Sequence, residues 1–171
     1  MIVKILPATP EDAEYLSNLI NSAYRGSVSK QGWTTEADLL DGARTDAKDI
    51  EEIFKKPGAT ILKCMDGQKI IGCVELVRQK NKLYLGMLTV DPLLQGKGNG
   101  KKLMAAAEEH ARKCNCSVVY MTVISVREEL IAWYKRRGYR DTGERKPFAF
   151  NDPRFGIPKQ ELEFAILEKP L

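Results

Sequence analysis

The sequence predicts an α/β (α+β) fold built on a mixed, mostly antiparallel twisted sheet of about seven strands flanked by helices. Three observations carry this. Between residues 59 and 90 the apolar residues fall into three strand-length runs in succession, the pattern of an antiparallel meander. Helical periodicity brackets those runs, with one amphipathic stretch at 13–23 and another at 101–114. The second of these stands between two strand-length runs, so parallel pairing is expected where it crosses over. At 171 residues the chain favours one domain, 1–171, over two small ones.

Residues 2–6 read as an opening strand. Thr9 then stands as a helix N-cap, with Pro10 at the first helical position and Asp12 in the capping-box place. Ala13, Leu16, Ile20 and Ala23 recur at helical spacing and mark a buried face. Residues 25–33 read as loop, and "TTEADLLDGA" and "DAKDIEEIFKK" as two short helices, the second stopped by Pro57-Gly58. "ATILKCM" and "KIIGCVELV" form a hairpin about Asp66-Gly67, and "KLYLGMLTV" is the next strand. In "KKLMAAAEEHARKC", Leu103, Ala107, Ala111 and Cys114 share a face, and the alanines favour helix. "SVVYMTV" is a strand, and "REELIAWYKRR" a helix capped by Gly138. "GYRDTGERKPF" and "QELEFAILEK" close the chain as two strands.

A net charge of +4 suits an anionic small ligand better than a nucleic acid, which asks for a dense basic stripe. The basic group Lys135, Arg136, Arg137 and Arg140 follows a helix C-terminus, where the dipole accounts for it. No run approaches the ~18 apolar residues of a membrane span. The N-terminal "MIVKILPATPED" has no signal-peptide pattern, so a cytoplasmic protein with reduced thiols is expected. Cys114 and Cys116 form a CxC, but a single His and no second cysteine pair argue against a metal site.

The chemistry concentrates in "DPLLQGKGNGKK", residues 91–102. A P-loop needs GxxxxGK[ST], and here the glycines are too close and no Ser or Thr follows the lysines. A dinucleotide fingerprint needs GxGxxG, and this GxGxG is one residue short. A glycine turn without a ligand is the plainer alternative. An anion cradle fits best: Gly96, Gly98 and Gly100 open the backbone at a helix N-terminus whose unpaired N–H groups and dipole attract phosphate. Lys97, Lys101 and Lys102 add positive field.

"LTVDPLLQGKGNGKKLM" resembles the acetyl-CoA signature of the GNAT N-acetyltransferase superfamily, V-x-P-x-x-[QR]-G-x-G-x-[GA]; Val90, Pro92, Gln95, Gly96, Gly98 and Gly100 match in register. The resemblance implies pyrophosphate binding by Gln95, Gly96, Lys97, Gly98, Asn99, Gly100 and Lys101, and pantetheine binding by Leu88, Thr89 and Val90. "ELIAWYKRRGYRDTGE" is similar to a later family segment, A-[IL]-x-x-Y-x-x-x-G-[FY], which places Tyr134 on its tyrosine. It implies that Tyr134 protonates the departing thiolate; packing between helix and sheet is its other reading. Arg127 stands where the family often has an Asn that touches the cofactor, so it is expected to contact phosphate or pantetheine, or to open its helix.

The family glutamate near the start of the strand before the loop is missing from "NKLYLG". Glu75, an acid within an apolar run, is the substitute candidate for the catalytic base, with Glu163 behind it. The acceptor pocket is expected from "YRGSVSKQGWTTEADLL" and "KPFAFNDPRFGIPK". Trp33, Phe148, Phe150 and Phe155 are its candidate walls, Arg25 or Arg154 a carboxylate site, and Glu36 a site for a cationic amine. The implied activity is acetyl transfer from acetyl-CoA, a co-substrate, to a primary amine of a small molecule or peptide, with no metal. A non-catalytic acetyl-CoA sensor of the same fold is the alternative, and a homodimer stays open.

Overall fold

A computed structural model of the chain describes residues 2–148 and 156–171. In chain order it contains β1 (Val3–Pro7), α1 (Ala13–Tyr24), α2 (Gly26–Ser29), β2 (Leu40–Asp41), α3 (Ala47–Lys55), β3 (Ala59–Asp66), β4 (Lys69–Gln79) and β5 (Lys82–Val90). There follow α4 (Asn99–Lys113), β6 (Val118–Ile124), α5 (Glu128–Arg136), β7 (Arg140–Pro147), β8 (Ile157–Pro158) and β9 (Glu163–Pro170). Seven strands form one sheet in the order β1-β3-β4-β5-β6-β9-β7, and β2 and β8 pair separately. Every neighbouring pair is antiparallel except β5 with β6, where α4 supplies the crossover.

Helices cover both faces of the sheet. Leu103, Met104, Ala107 and Ala111 of α4 pack against Leu62, Val74, Leu83 and Val119, and α5 joins this side through Tyr134. Leu16 and Ile20 of α1 and Ile50 and Ile53 of α3 pack against Ile61, Cys73 and Met87 on the other. The helical stripes read from the sequence are therefore the buried ones. Thr9 and Asp12 do form a capping box, Thr9 N donating to Asp12 Oδ2 at 2.9 Å, and one 3-10 turn over Pro10–Asp12 leads into α1.

Two departures shape the site. "TTEADLLDGA" is not a helix: it makes turns and the short β2, while the expected loop contains the one-turn α2. Tertiary bonds override local propensity there. Glu36 N donates to Tyr24 O at 2.9 Å, Ala37 N to Thr35 Oγ1 at 3.0 Å, and the Glu36 carboxylate is drawn inward by two arginines.

The second departure lies in β5. Against β4 its register passes from Cys73↔Thr89 to Glu75↔Gly86, two residues facing three, so β5 carries a bulge. Met87 sits inside it at φ 49°, a left-handed conformation costly for a side-chain-bearing residue. The bulge reverses the strand's alternation: Leu83 and Leu85 face α4, whereas Met87 faces α1. Beside it, β5 and β6 pair only from Lys82–Tyr84 to Val118–Tyr120. Beyond Tyr84 the edge of β5 facing β6 has no strand partner among the described residues, and the two strands frame a wedge.

Gly72 fixes how closely β4 lies against the end of β5. A Cβ there would fall 2.7 Å from Thr89 O and 3.1 Å from a Leu103 methyl. Gly72→Ala is therefore expected to cost about 1–3 kcal/mol of unfolding free energy, read from the denaturant midpoint.

Candidate active site

The wedge between β5 and β6 opens into two adjoining cavities of about 320 and about 260 Å³. The first runs along the end of β5, the glycine loop, the start of α4 and one face of α5. Gly96 and Gly98 adopt φ 83° and 82°, and no atom lies within 4 Å of where a Cβ on either would stand. Gly98 is the N-cap of α4, so the helix's first-turn N–H groups emerge beside bare backbone. Asn99 is 3% exposed, yet its Nδ2 has no hydrogen-bond partner among the described residues. Lys101 also lines this cavity. Open glycines, an orphaned buried amide, a helix N-terminus and an unpaired strand edge fit a ligand that carries pyrophosphate and an amide chain.

Most of the cofactor residues expected from sequence meet here: Leu88, Val90, Gln95, Gly96, Gly98, Asn99, Gly100, Lys101 and Arg127 line the first cavity. Thr89 and Lys97 do not. The Thr89 side chain turns into the protein, its hydroxyl donating to Met87 O at 2.9 Å. Gln95 has two partners of its own: its Nε2 donates to Val90 O at 3.1 Å and its Oε1 accepts from Trp33 N at 2.9 Å. It thereby clips the Gly32–Trp33 turn over the cavity. Trp33, expected to wall the acceptor pocket, lines the first cavity instead, with Tyr24 and Trp133, which sequence reasoning missed.

The second cavity lies between Arg25, Glu36 and Arg44 on one side and Tyr84, Gly86, Phe148 and Phe164 on the other. The Phe148 and Phe164 rings are 4.7 Å apart. Phe150, Arg154 and Phe155 fall outside the described residues. Glu36 is the hub of a buried ion cluster. Arg25 Nε reaches its Oε1 at 2.9 Å, and Arg127 NH1 reaches its Oε2 at 3.0 Å. Arg25 also donates to the carbonyls of Gly42 and Ala43, and Arg127 to Thr34 Oγ1 at 2.7 Å. Arg127, expected to touch the cofactor, borders both cavities while holding the 34–36 segment in place.

Tyr134 borders both cavities, as do Tyr24, Leu88, Arg127 and Leu130. It is 5% exposed and set edge-on against the Trp133 ring at 5.3 Å. Its hydroxyl makes no hydrogen bond among the described residues, whereas that of Tyr24 donates to Leu88 O at 3.0 Å. Burial, reinforced by Tyr24, raises the Tyr134 phenol well above its ordinary value, while Arg127 acts in the lowering direction. Tyr134 is therefore a neutral phenol throughout the physiological range.

Glu75 borders neither cavity, but stands behind the wall of the second. Its Oε1 is 3.0 Å from where a Cβ on Gly86 would be, and Tyr84 Oη is 2.7 Å from the same point. Burial raises the Glu75 carboxyl, with Lys56 and Arg44 opposing. Its raised value in the fold means that stability from this group is complete below about pH 4.5 and is lost as pH rises through the folded value. Glu75→Gln is accordingly expected to gain stability relative to wild type as pH climbs through that window, read by thermal unfolding across pH. Glu163, the weaker candidate, is an exposed residue beside Arg145 at 3.9 Å. Among the described residues, no group of three His, Cys, Asp or Glu side chains is placed to hold a metal ion. Nor is any helix among them long and apolar enough to cross a membrane.

Comparison with known proteins accounts for this architecture. The yncA protein of Salmonella typhimurium, solved with its cofactor acetyl-CoA, aligns with 100% of this chain and 95% of its own at TM-score 0.73 and 19% identity. The PaiA N-acetyltransferase of Thermoplasma acidophilum, solved with coenzyme A, aligns over 100% of both chains at TM-score 0.73 and 18% identity. The ribosomal-protein-S18-alanine N-acetyltransferase of Escherichia coli aligns over 99% of this chain and 94% of its own, at TM-score 0.74 and 12% identity. At these identities the likeness is one of fold. No curated protein matches the sequence. The family model for the acetyltransferase (GNAT) domain, however, matches residues 31–152, which include the glycine loop, Arg127 and Tyr134. The protein belongs to the GNAT family of acetyltransferases, enzymes that draw their acetyl group from acetyl-CoA.

Proposed function

We propose that the protein moves the acetyl group of acetyl-CoA directly onto a primary amine of a small molecule or peptide, with Tyr134 as general acid. The observation that carries this is the place of Tyr134: a buried, neutral phenol whose hydroxyl has no hydrogen bond among the described residues, where two cavities meet. Acetyl-CoA supplies an acyl carbon already activated as a thioester. Gly96, Gly98, Asn99 and Lys101 hold its pyrophosphate, and the end of β5 from Leu88 to Val90 lies along its amide arm. The amine enters from the second cavity. As nitrogen bonds to the acyl carbon and the carbon–sulfur bond breaks, Tyr134 gives its proton to sulfur. Glu75, behind Gly86 and Tyr84, accepts through a relay the proton that the amine sheds and returns it to solvent, and the tyrosine is reprotonated from solvent. Between them, Tyr134 and Glu75 supply and remove one proton per turnover.

Rapid mixing tests the direct route. Thiol release is expected only when acetyl-CoA and an amine are both present. A burst of thiol stoichiometric with enzyme, in the absence of any amine, would mean that a protein side chain is acylated first and would overturn it.

A further inference from the structure

Among the described residues, one guanidinium bordering the second cavity has no ion-pair partner. Three guanidinium groups, those of Arg25, Arg44 and Arg127, border it against the one carboxylate of Glu36. Both oxygens of Glu36 are engaged, one by Arg25 and one by Arg127. Arg44 is placed differently. Among the described residues no carboxylate oxygen lies within 4.0 Å of its guanidinium and no side-chain hydrogen bond forms there, and it stands over the face of Tyr24 at 5.6 Å. Burial works against its charge, but the fields of Glu36, Tyr24, Tyr84 and Glu75 outweigh it and hold it cationic.

This placement is built into the fold. Asn21 of α1 accepts from the backbone N–H groups of Arg44 and Thr45 at 2.7 and 3.1 Å, and donates to Thr45 O at 3.0 Å. The backbone at Arg44 is therefore clamped to a helix, and its cationic head borders the cavity with no ion-pair partner among the described residues. Its planar guanidinium fork matches a carboxylate.

We infer that the acceptor is an amine bearing a carboxylate, and that Arg44 binds the carboxylate while the amine points to Tyr134. This rests on the acetyl-transfer reading above. A carboxylate suits a cavity of about 260 Å³ bordered by a guanidinium that has no ion-pair partner among the described residues. Glu36, neutralised twice over, has no capacity left for a cationic amine.

Matched pairs of small amino acids and their carboxamides test this as acceptors, with kcat/KM compared on the concentration of unprotonated amine. The wild type is expected to prefer the acid by about 10- to 100-fold, the span of one charged hydrogen-bonded contact. Arg44→Gln should lose that preference, mainly through KM, and Arg44→Lys should recover part of it, both keeping wild-type affinity for acetyl-CoA. Equal use of acid and amide, a dication as the best substrate, or a preference that survives Arg44→Gln would overturn the inference and leave acetyl transfer standing. Should no amine turn over, the acetyl-transfer reading fails and calorimetry with the coenzyme A-saturated protein decides the anion site separately. Acid bound over amide by the wild type but not by Arg44→Gln supports the site; equal or absent binding overturns it.

Discussion

Tyr134→Phe is expected to lower turnover by about 10²- to 10⁴-fold while acetyl-CoA affinity is kept. The change deletes a single oxygen, and that oxygen has no hydrogen bond among the described residues, so no buried partner is orphaned. The ring still packs against Trp133 at 5.3 Å and Tyr139 at 6.0 Å, so the fold should hold. The loss should fall on kcat, because a proton given to a departing thiolate matters only as the carbon–sulfur bond breaks. Steady-state kinetics beside calorimetric titration of acetyl-CoA separates the two quantities. Wild-type turnover in the variant would remove Tyr134 from the chemistry and return it to the role of packing residue.

Glu36→Gln is expected to destabilise the fold by about 3–5 kcal/mol, the cost of removing one partner from a buried ion cluster. The side chains of Arg25 and Arg127 are 5% and 6% exposed, and both lose their carboxylate at once. Against a total stability of about 5–15 kcal/mol, that loss brings the protein near unfolding. Urea denaturation measures it, with Arg44→Gln as the internal contrast. Arg44 has no carboxylate within 4.0 Å among the described residues, so its removal strands no anion and should cost far less. Because Arg127 also ties Thr34 to α5, the segment that closes the first cavity should loosen in the same variant. An unchanged denaturation midpoint would mean that the cluster is structurally idle.

The parts of this protein that local chemistry dictates were legible in its sequence. Leu16, Ile20, Leu103 and Ala107 announce their helices by spacing, and the glycine loop announces an anion site by its bare backbone and the helix that follows. Thr89, by contrast, was named with Leu88 and Val90 only because the family resemblance implies pantetheine binding by that strand, and its side chain turns inward to Met87 O. The bulge at Met87 breaks the alternation of the strand, and no glycine or proline at 87 signals it. The 34–43 segment reads as helix from propensity alone, and its true course is set by Glu36 seeking Arg25 and by Arg127, 91 residues away in sequence. Arg44 gave no signal either. Its importance comes from what surrounds it in space, a Tyr24 ring, an Asn21 clamp and an already neutralised Glu36, none of which is adjacent to it in sequence.

The central claim is that two cavities meeting at Tyr134 bring an acyl donor and an amine together for one-step transfer. Isotope-labelled acetyl-CoA, incubated with the enzyme and a panel of amino acids, peptides and polyamines, tests it most directly when products are identified by mass spectrometry. The expected result is label in an amide on the acceptor nitrogen, with one coenzyme A released for each amide formed. Tight binding of acetyl-CoA with no acetylated product from any acceptor would contradict it and leave a protein that senses acetyl-CoA without spending it.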